Sequence, residues 1–357
     1  MKSSGSTTDS KVPPHPDPQL DLTSDGPDLH PFPAMRDVSL YPLDSRESLV
    51  TTKDFCSVPD PVPGFEGFVD ALPDIYAGAH FKDLVNRIVA ARLAGKPVAF
   101  AMGAHVLKVG LAPLLIDLME RGVITHVALN SAGAIHDFEI ATAGHTSERV
   151  DTQLPAGRFG FADETGLGIA EGARRGAHPE PGAELGFGRG LGRNLLDLAP
   201  KNVHLSVPAN AVRLGVGVTC HVSVGADIVH MHPACNGADL GAAALADFQH
   251  VCRTVSELGF PKGEDASGVG GVWLNVGCAV ILPEIFLKAV SVAINLGFDL
   301  ENITTGNLDM IRQYRAETNV VRRPPGTGIT LIGQHELLLP LLRMAVLSKL
   351  PGGRVSA

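Results

Sequence analysis

The chain has 357 residues, 45% of them hydrophobic, with 40 glycines and a formal net charge of −9. That length suits one large or two small domains, and an acidic balance without a long basic block argues against nucleic acid as a partner. The most apolar stretch, residues 272–296, is broken by Asn275, Pro283, Glu284 and Lys288, so no membrane partner is expected.

Residues 1–35 are rich in Ser, Asp, Pro and Thr and read as a disordered tail without the apolar core of a secretion signal. Residues 36–357 read as a single α/β domain. Its lead-in, to about residue 80, carries Pro59, Pro61 and Pro63 and looks irregular. Helical periodicity starts near Phe81 with Leu84, Ile88, Val89 and Leu93, and Gly95 stops it. Residues 98–102 predict a buried strand ending in Gly103-Ala104-His105, and residues 111–121 a helix with Pro113 in its first turn. A strand over 124–129 runs into Asn130-Ser131-Ala132-Gly133-Ala134-Ile135-His136-Asp137. Small residues there let a ligand approach the backbone, and the imidazole and acid beyond can do chemistry. Gly, Arg, Pro and Glu dominate residues 166–192, where the GxGxG of Gly186 to Gly190 follows no strand and reads as a loop between helices. Strands are expected at 216–222, 227–230, 270–276 and 302–305, and helices at 241–258, 283–296 (closed by Gly297) and 337–350. Strands alternating with helices of this length predict a doubly wound, mostly parallel Rossmann-like sheet. Cys56, Cys220, Cys235, Cys252 and Cys278 form no CxxC pair and read as free thiols of a cytoplasmic protein.

The predicted strand ends carry His105, then His136 and Asp137, then His221, Asp227, His230 and His232, then Asn275, and last Asn307 and Asp309. In a parallel sheet these ends share one edge, where ligands bind, so residues distant in sequence converge. Each also has a plain structural role open to it as a cap or turn former. His230 and His232, on alternate positions of a strand, could grip one metal ion with Asp239 and His136 near, although the spacing matches no common zinc pattern. Gln334-His335-Glu336 is either a further acid/base pair or a capped helix start. Lys108, Arg312, Arg315, Arg322 and Arg323 could neutralise an anionic ligand, the last two from a loop before Pro324-Pro325.

With these residues in view, the chain resembles the deoxyhypusine synthase family. Gly103 to Gly110 is similar to that family's glycine-bounded loop. Asn130 to Asp137 tracks its Thr-Thr-Ala-Gly-Gly-Ile-Glu-Glu-Asp segment, and the likeness recurs at Val272 to Gly277 and at Thr304-Thr305-Gly306-Asn307-Leu308-Asp309. The resemblance covers most of residues 80–330. It implies a Rossmann-like sheet, NAD as cofactor and a homo-oligomer, usually a tetramer. It assigns the cofactor to Ala104, His105, Val106, Leu107 and Lys108, to Ser131, Ala132 and Gly133, and to Thr305 and Gly306. It sets Asp227 and Asp309 near the substrate or cofactor. The departures matter as much. The family's paired glutamates are here His136-Asp137, which removes a negative charge from a polyamine site. Where the family has its catalytic lysine, this chain has Asn319-Val320-Val321-Arg322-Arg323. Arginine stays protonated and cannot form the imine that carries the butylamine group.

The sequence therefore predicts a divergent paralogue: an NAD-dependent transferase or dehydrogenase acting on a small amino- or hydroxy-acid-like substrate. His136 or His230 would be general base with a pKa near working pH, Asp137 or Asp227 its orienting group, and Asn307, Asp309, Arg322 and Arg323 substrate contacts. The competing readings are a metal-dependent hydrolase or lyase built on His230, His232 and Asp239, a non-catalytic ligand-binding or assembly protein, and spermidine-dependent deoxyhypusine synthesis itself.

Overall fold

The computed structural model describes residues 38–54, 65–264 and 267–351. The expected tail over residues 1–35, the three lead-in prolines and Cys56 lie outside the described residues.

The centre is a six-stranded, wholly parallel sheet. Its strands in chain order are β1 (Val98–Met102), β2 (His126–Asn130), β3 (Gly217–His221), β4 (Val272–Val276), β5 (Thr304–Asp309) and β6 (Thr327–Ile332). They lie side by side in the order β3-β2-β1-β4-β5-β6. The chain winds outward from β1 in one direction, returns, and winds outward from β4 in the other. This is the doubly wound Rossmann order, with its reversal between β1 and β4.

The helices that cover the sheet are α1 (Tyr76–Leu93), α2 (Ala112–Glu120), α3 (Ser131–Ala143), α4 (Asp163–Ala177), α5 (Phe187–Leu198), α6 (Val207–Leu214), α7 (Gly237–Leu258), α8 (Ile281–Asn295) and α9 (His335–Lys349). Alternation along β1 shows how the two faces differ. Val98, Phe100 and Met102 join a core with α1, α2, α6 and α9, while Ala99 and Ala101 face α7 and α8. Small residues on the second face let its helices approach, and Trp273 of β4 fills the remaining space by stacking on Phe286 at 4.6 Å.

Most expected elements are present, with boundaries shifted by a few residues. Four expectations need correction. Residues 227–230 are not a strand: Asp227 accepts from Ser223 N at 2.8 Å and Ile228–Met231 forms one 3₁₀ turn. The strand expected at 302–305 is Thr304–Asp309. Arg322 does not sit in a loop, because Glu317–Arg322 forms a π-helical turn around the buried Glu317, which accepts from Asn307, Arg312 and Thr330; Arg323 opens the bend that follows. The GxGxG of Gly186 to Gly190, read as a loop between helices, instead opens α5, and the Gly-rich stretch before it supplies most of α4. Its glycines serve packing: a Cβ on Gly190 would lie 2.2 Å from Gly172 O, and one on Gly188 2.7 Å from Val218 O. Glycine's poor helix propensity hid these helices, and backbone-to-backbone contact is what they gain in return.

The irregular lead-in contains Ser48–Thr51, which pairs antiparallel with His145–Glu148. This small ribbon lies beside α3 and brings residues 41–48 to the carboxyl edge of β2 and β3. No helix among the described residues is long and apolar enough to cross a membrane.

Candidate functional site

The ends of β1, β4 and β5 are tied together in steps. Gly103 N donates to Val276 O and Gly277 N to Leu308 O, each at 2.9 Å. A Cβ on Gly103 would lie 2.1 Å from Gly277 O, so this glycine exists for the approach of two strand ends. Beside it the rings of His105 and His335 stand 5.5 Å apart. His335 is fully buried; its Nε2–H donates to Leu308 O at 3.2 Å, and Nδ1 has no partner. Desolvation, then His335, push the His105 pKa down, while Glu336 and Asp309 oppose the shift.

A cavity of about 250 Å³ opens beyond the ends of β2 and β3. Its floor is the first turns of α3. Asn130 caps that helix, its side chain accepting from Gly133 N at 2.8 Å, which leaves Ala132 and His136 on the cavity wall. His136 Nδ1 lies 2.6 Å from Thr146 Oγ1, and Thr146 in turn donates to Glu139. Glu139 also accepts from Thr165 at 3.0 Å and is ion-paired with Arg46. Arg46 lines the cavity with its Nε buried and unpartnered. Glu148, on the same wall, holds Tyr41 and accepts from Gly160 N at 3.0 Å. Between Thr146 and Glu148, Ser147 takes a left-handed φ of 70° and is 8% exposed. A non-glycine residue held there costs of order 1 kcal/mol, a strain that concentrates at functional sites.

Two cations therefore face the cavity. Arg46 is committed to Glu139 and Glu148. Lys108 is half-buried, and no carboxylate of the described residues forms an ion pair with it. Burial first, then Lys108 and Arg46, drive the His136 pKa down to about 3, so its imidazole is neutral at physiological pH. Burial thus takes His136 below the expected pKa near working pH and leaves it in the neutral form, which can accept a hydrogen bond or a proton.

The other expected site residues divide sharply. Asp227 lines the cavity, and His230 Nε2 stands 3.9 Å from it, buried and otherwise unpartnered. Asp137 faces away: it accepts from Ser206 and from Val207 N at 2.7 Å, capping α6, and burial raises its pKa to about 7. His232 pairs with Asp163 at 3.1 Å, and Asp239 with His178 at 2.8 Å. The two histidines thus grip different partners, and no group of three metal-ligating side chains exists among the described residues. The metal-centre reading built on His230, His232 and Asp239 fails for that reason.

Within the loop after β1, Val106 and Leu107 are core residues, while Ala104, His105 and Lys108 are partly open. Ser131 is buried; a Cβ on Gly133 would meet Asn130 and Leu129. Thr305 and Gly306 lie inside β5, buried, and a Cβ on Gly306 would meet Leu274. Asn307 bridges Asn275 and Glu317 in the interior, and Asp309 closes the strand, accepting from Met310 N. The arginines expected to hold an anion are elsewhere or occupied. Arg312 pairs with Glu317 and Arg315 with Glu284. Arg323 bonds Asn319, and Arg322 is exposed; neither lines the cavity.

Arg46, Glu139, Thr146 and Ser147 were not singled out from the sequence. Glu139 had a signal, since it stands three residues after His136 on one helix face. Arg46 and Thr146 had none, because only the ribbon brings them to α3.

The strand order and this edge define a doubly wound, Rossmann-like α/β protein with a polar cavity beside its reversal point. No protein-family model and no curated protein matches the sequence. Solved structures do align with it. A "conserved putative LOR/SDH protein" from Methanococcus maripaludis S2 aligns at a TM-score of 0.46 and 14% identity, covering 76% of this chain and 70% of that one. AgrE, in a ternary complex with ornithine and NAD+, aligns at 0.46 and 13%, over 81% of this chain and 34% of AgrE. A "putative deoxyhypusine synthase" from Entamoeba histolytica aligns at 0.41 and 10%, over 89% of this chain and all of that one. These scores carry no argument about chemistry, and the site is read from its own residues.

Proposed function

We propose that the protein is an NAD-dependent enzyme acting on a small amino- or hydroxy-acid-like molecule held in the cavity at the ends of β2 and β3. The observation that carries this reading is a cavity at the carboxyl edge of the sheet, near its reversal, whose walls hold a neutral imidazole and an ammonium with no carboxylate partner among the described residues.

One observation supports a dinucleotide here: Lys108 lies near enough to both His105 and His136 to lower their pKa values, so charged groups occur at the β1 end and at the β2 end. An extended ligand crossing the edge would meet His105 and Lys108 first and Ala132 next. NAD, when bound, supplies a hydride acceptor. The chain's own residues do the rest. Lys108 neutralises a substrate carboxylate, while Arg46, paired with Glu139 and Glu148, holds the wall in place. His136 accepts a hydrogen bond from a hydroxyl or ammonium. The ribbon residues Ser147 and Glu148 wall the cavity on the other side.

Deoxyhypusine synthesis is not expected, since no lysine stands at 319–323 to form the imine. Homo-oligomerisation, a single domain over 36–357 and a cytoplasmic location remain part of the proposal. Calorimetric titration with NAD tests it. Saturable binding is expected, weakened about tenfold in Lys108→Ala, which keeps its fold. Absence of any saturable NAD binding by the parent protein would sink the reading.

A further inference from the structure

His136, Thr146 and Glu139 form a directed chain. Glu139, ion-paired with Arg46, can only accept. Thr146 has one hydroxyl proton and spends it on Glu139. Its oxygen must then accept from His136, 2.6 Å away, so the imidazole proton resides on Nδ1. The cavity-lining ring is left with a bare lone pair on Nε2. Reversal would set two acceptors against each other at the Thr146–Glu139 contact, and the second proton of an imidazolium is disfavoured by burial and by Lys108. Thr146 is fully buried, and its neighbour Ser147 holds the strained backbone that delivers it.

We propose that this chain locks His136 in the Nδ1–H tautomer and makes the cavity selective for a carboxylic acid bearing a hydroxyl or ammonium beside the carboxylate, with that donor on His136 Nε2 and the carboxylate on Lys108. The inference rests on the proposed function only in taking this cavity as the substrate site; it does not depend on NAD. Thr146 is a positioning residue, acting through His136. A keto acid or a plain carboxylate lacks the donor and leaves Nε2 without a partner. Discrimination by such an unmatched polar group reaches 10⁴-fold or more in fully built sites and is smaller for small probes.

The test has two readouts on the full chain. The first is ¹⁵N-histidine NMR at neutral pH. The parent is expected to show His136 protonated at Nδ1 and bare at Nε2. Thr146→Val should give mixed tautomers, and Thr146→Ser should restore the single one. A parent already in the Nε2–H tautomer overturns the proposal. The second is binding of 2-hydroxypropanoate, propanoate and 2-oxopropanoate. The parent is expected to favour the hydroxy acid by at least about tenfold, Thr146→Val to lose that preference, and Thr146→Ser to keep it. Equal binding of all three by the parent overturns the donor-selective site while leaving a carboxylate cavity standing. No binding of any of them, alongside saturable NAD binding, removes the cavity as an acid site and the selectivity with it. Failure of NAD to bind while the hydroxy-acid preference holds would strike only the cofactor reading.

Discussion

Asp137 and Glu139 stand two residues apart on α3, both almost fully buried at 2% and 1% exposure, yet their surroundings give them opposite work. Glu139 faces the ribbon side of α3, where Arg46, Thr146 of the ribbon and Thr165 of α4 all donate to it. Asp137 faces the helical layer, where it meets only neutral donors, Ser206 and Val207 N. Without a cationic partner its burial is uncompensated, and its pKa rises to about 7. The lesson is that burial alone does not mark a functional carboxylate. What distinguishes the two is whether the partners lead to a cavity or to a helix end.

Removing Glu139 should have the largest effect. Glu139→Ala leaves the Arg46 guanidinium buried beside few acceptors, a loss of about 3–5 kcal/mol by the cost of breaking a buried pair. Urea unfolding against the parent measures it. A loss under about 1 kcal/mol would mean that Arg46 swings out and that the cavity wall is not built as described.

Titration of the helical layer comes next. Asp247 accepts from Gly188 N at 2.9 Å and Cys220 N at 2.7 Å, and burial raises its pKa to about 8. Its folded pKa exceeds the unfolded one, so the folded state holds the extra proton and stability falls as pH rises from about 4 to about 8. Asp137 acts in the same sense up to about 7. His126, His136 and His221, all pushed down to about 3 by burial, act oppositely: stability rises with pH until their unfolded value of 6.5. Stability is therefore expected to peak near pH 6.5 and to drop toward pH 8. Asp247 accounts for about 2 kcal/mol of that drop at about 1.4 kcal/mol per pH unit. Asp247→Asn should flatten the alkaline limb, and an unchanged limb would show the carboxyl is hydrated after all.

Gly190→Ala tests the other tenant of that layer. Its Cβ would lie 2.2 Å from Gly172 O and 2.4 Å from Gly176 N, so the helices must part, at about 1–3 kcal/mol. A shift of the thermal midpoint without loss of ligand binding is expected, because the contact lies outside the cavity. The smallest effect belongs to Asp137→Asn, which keeps an acceptor for Val207 N and should cost about 1 kcal/mol or less at neutral pH. Ligand affinity should be unchanged. A folded Asp137→Asn that loses binding would erase the contrast between the two sides of α3.

The sequence was legible where one residue's neighbours along the chain decide its state. Runs such as 98–102 and 272–276 are apolar enough to be buried strands anywhere, Gly297 ends a helix with its own positive φ of 87°, and Asn130 caps α3 three residues ahead. Those local rules predicted a parallel sheet and pointed to its carboxyl edge, including Lys108, His136 and Asp227. They failed where a residue's role depends on a distant surface. The glycines of 166–192 pack two helices that neither segment announces alone. The half-exposed edge strand Thr327–Ile332 follows two prolines and was missed. Direction was undetermined as well: His136 and Asp137 are neighbours in the chain, but the helix turns by about 100° per residue, sending one to a cavity and the other to a helix cap. Which arginines meet a ligand, whether two histidines share a metal and which ring nitrogen bears a proton are set by contacts that only the folded chain makes, such as Asp163 for His232, 69 residues away, and Arg46 for Glu139, 93 residues away. Composition and periodicity carry no information at that range, because those contacts exist only after the sheet has fixed the order of its strands.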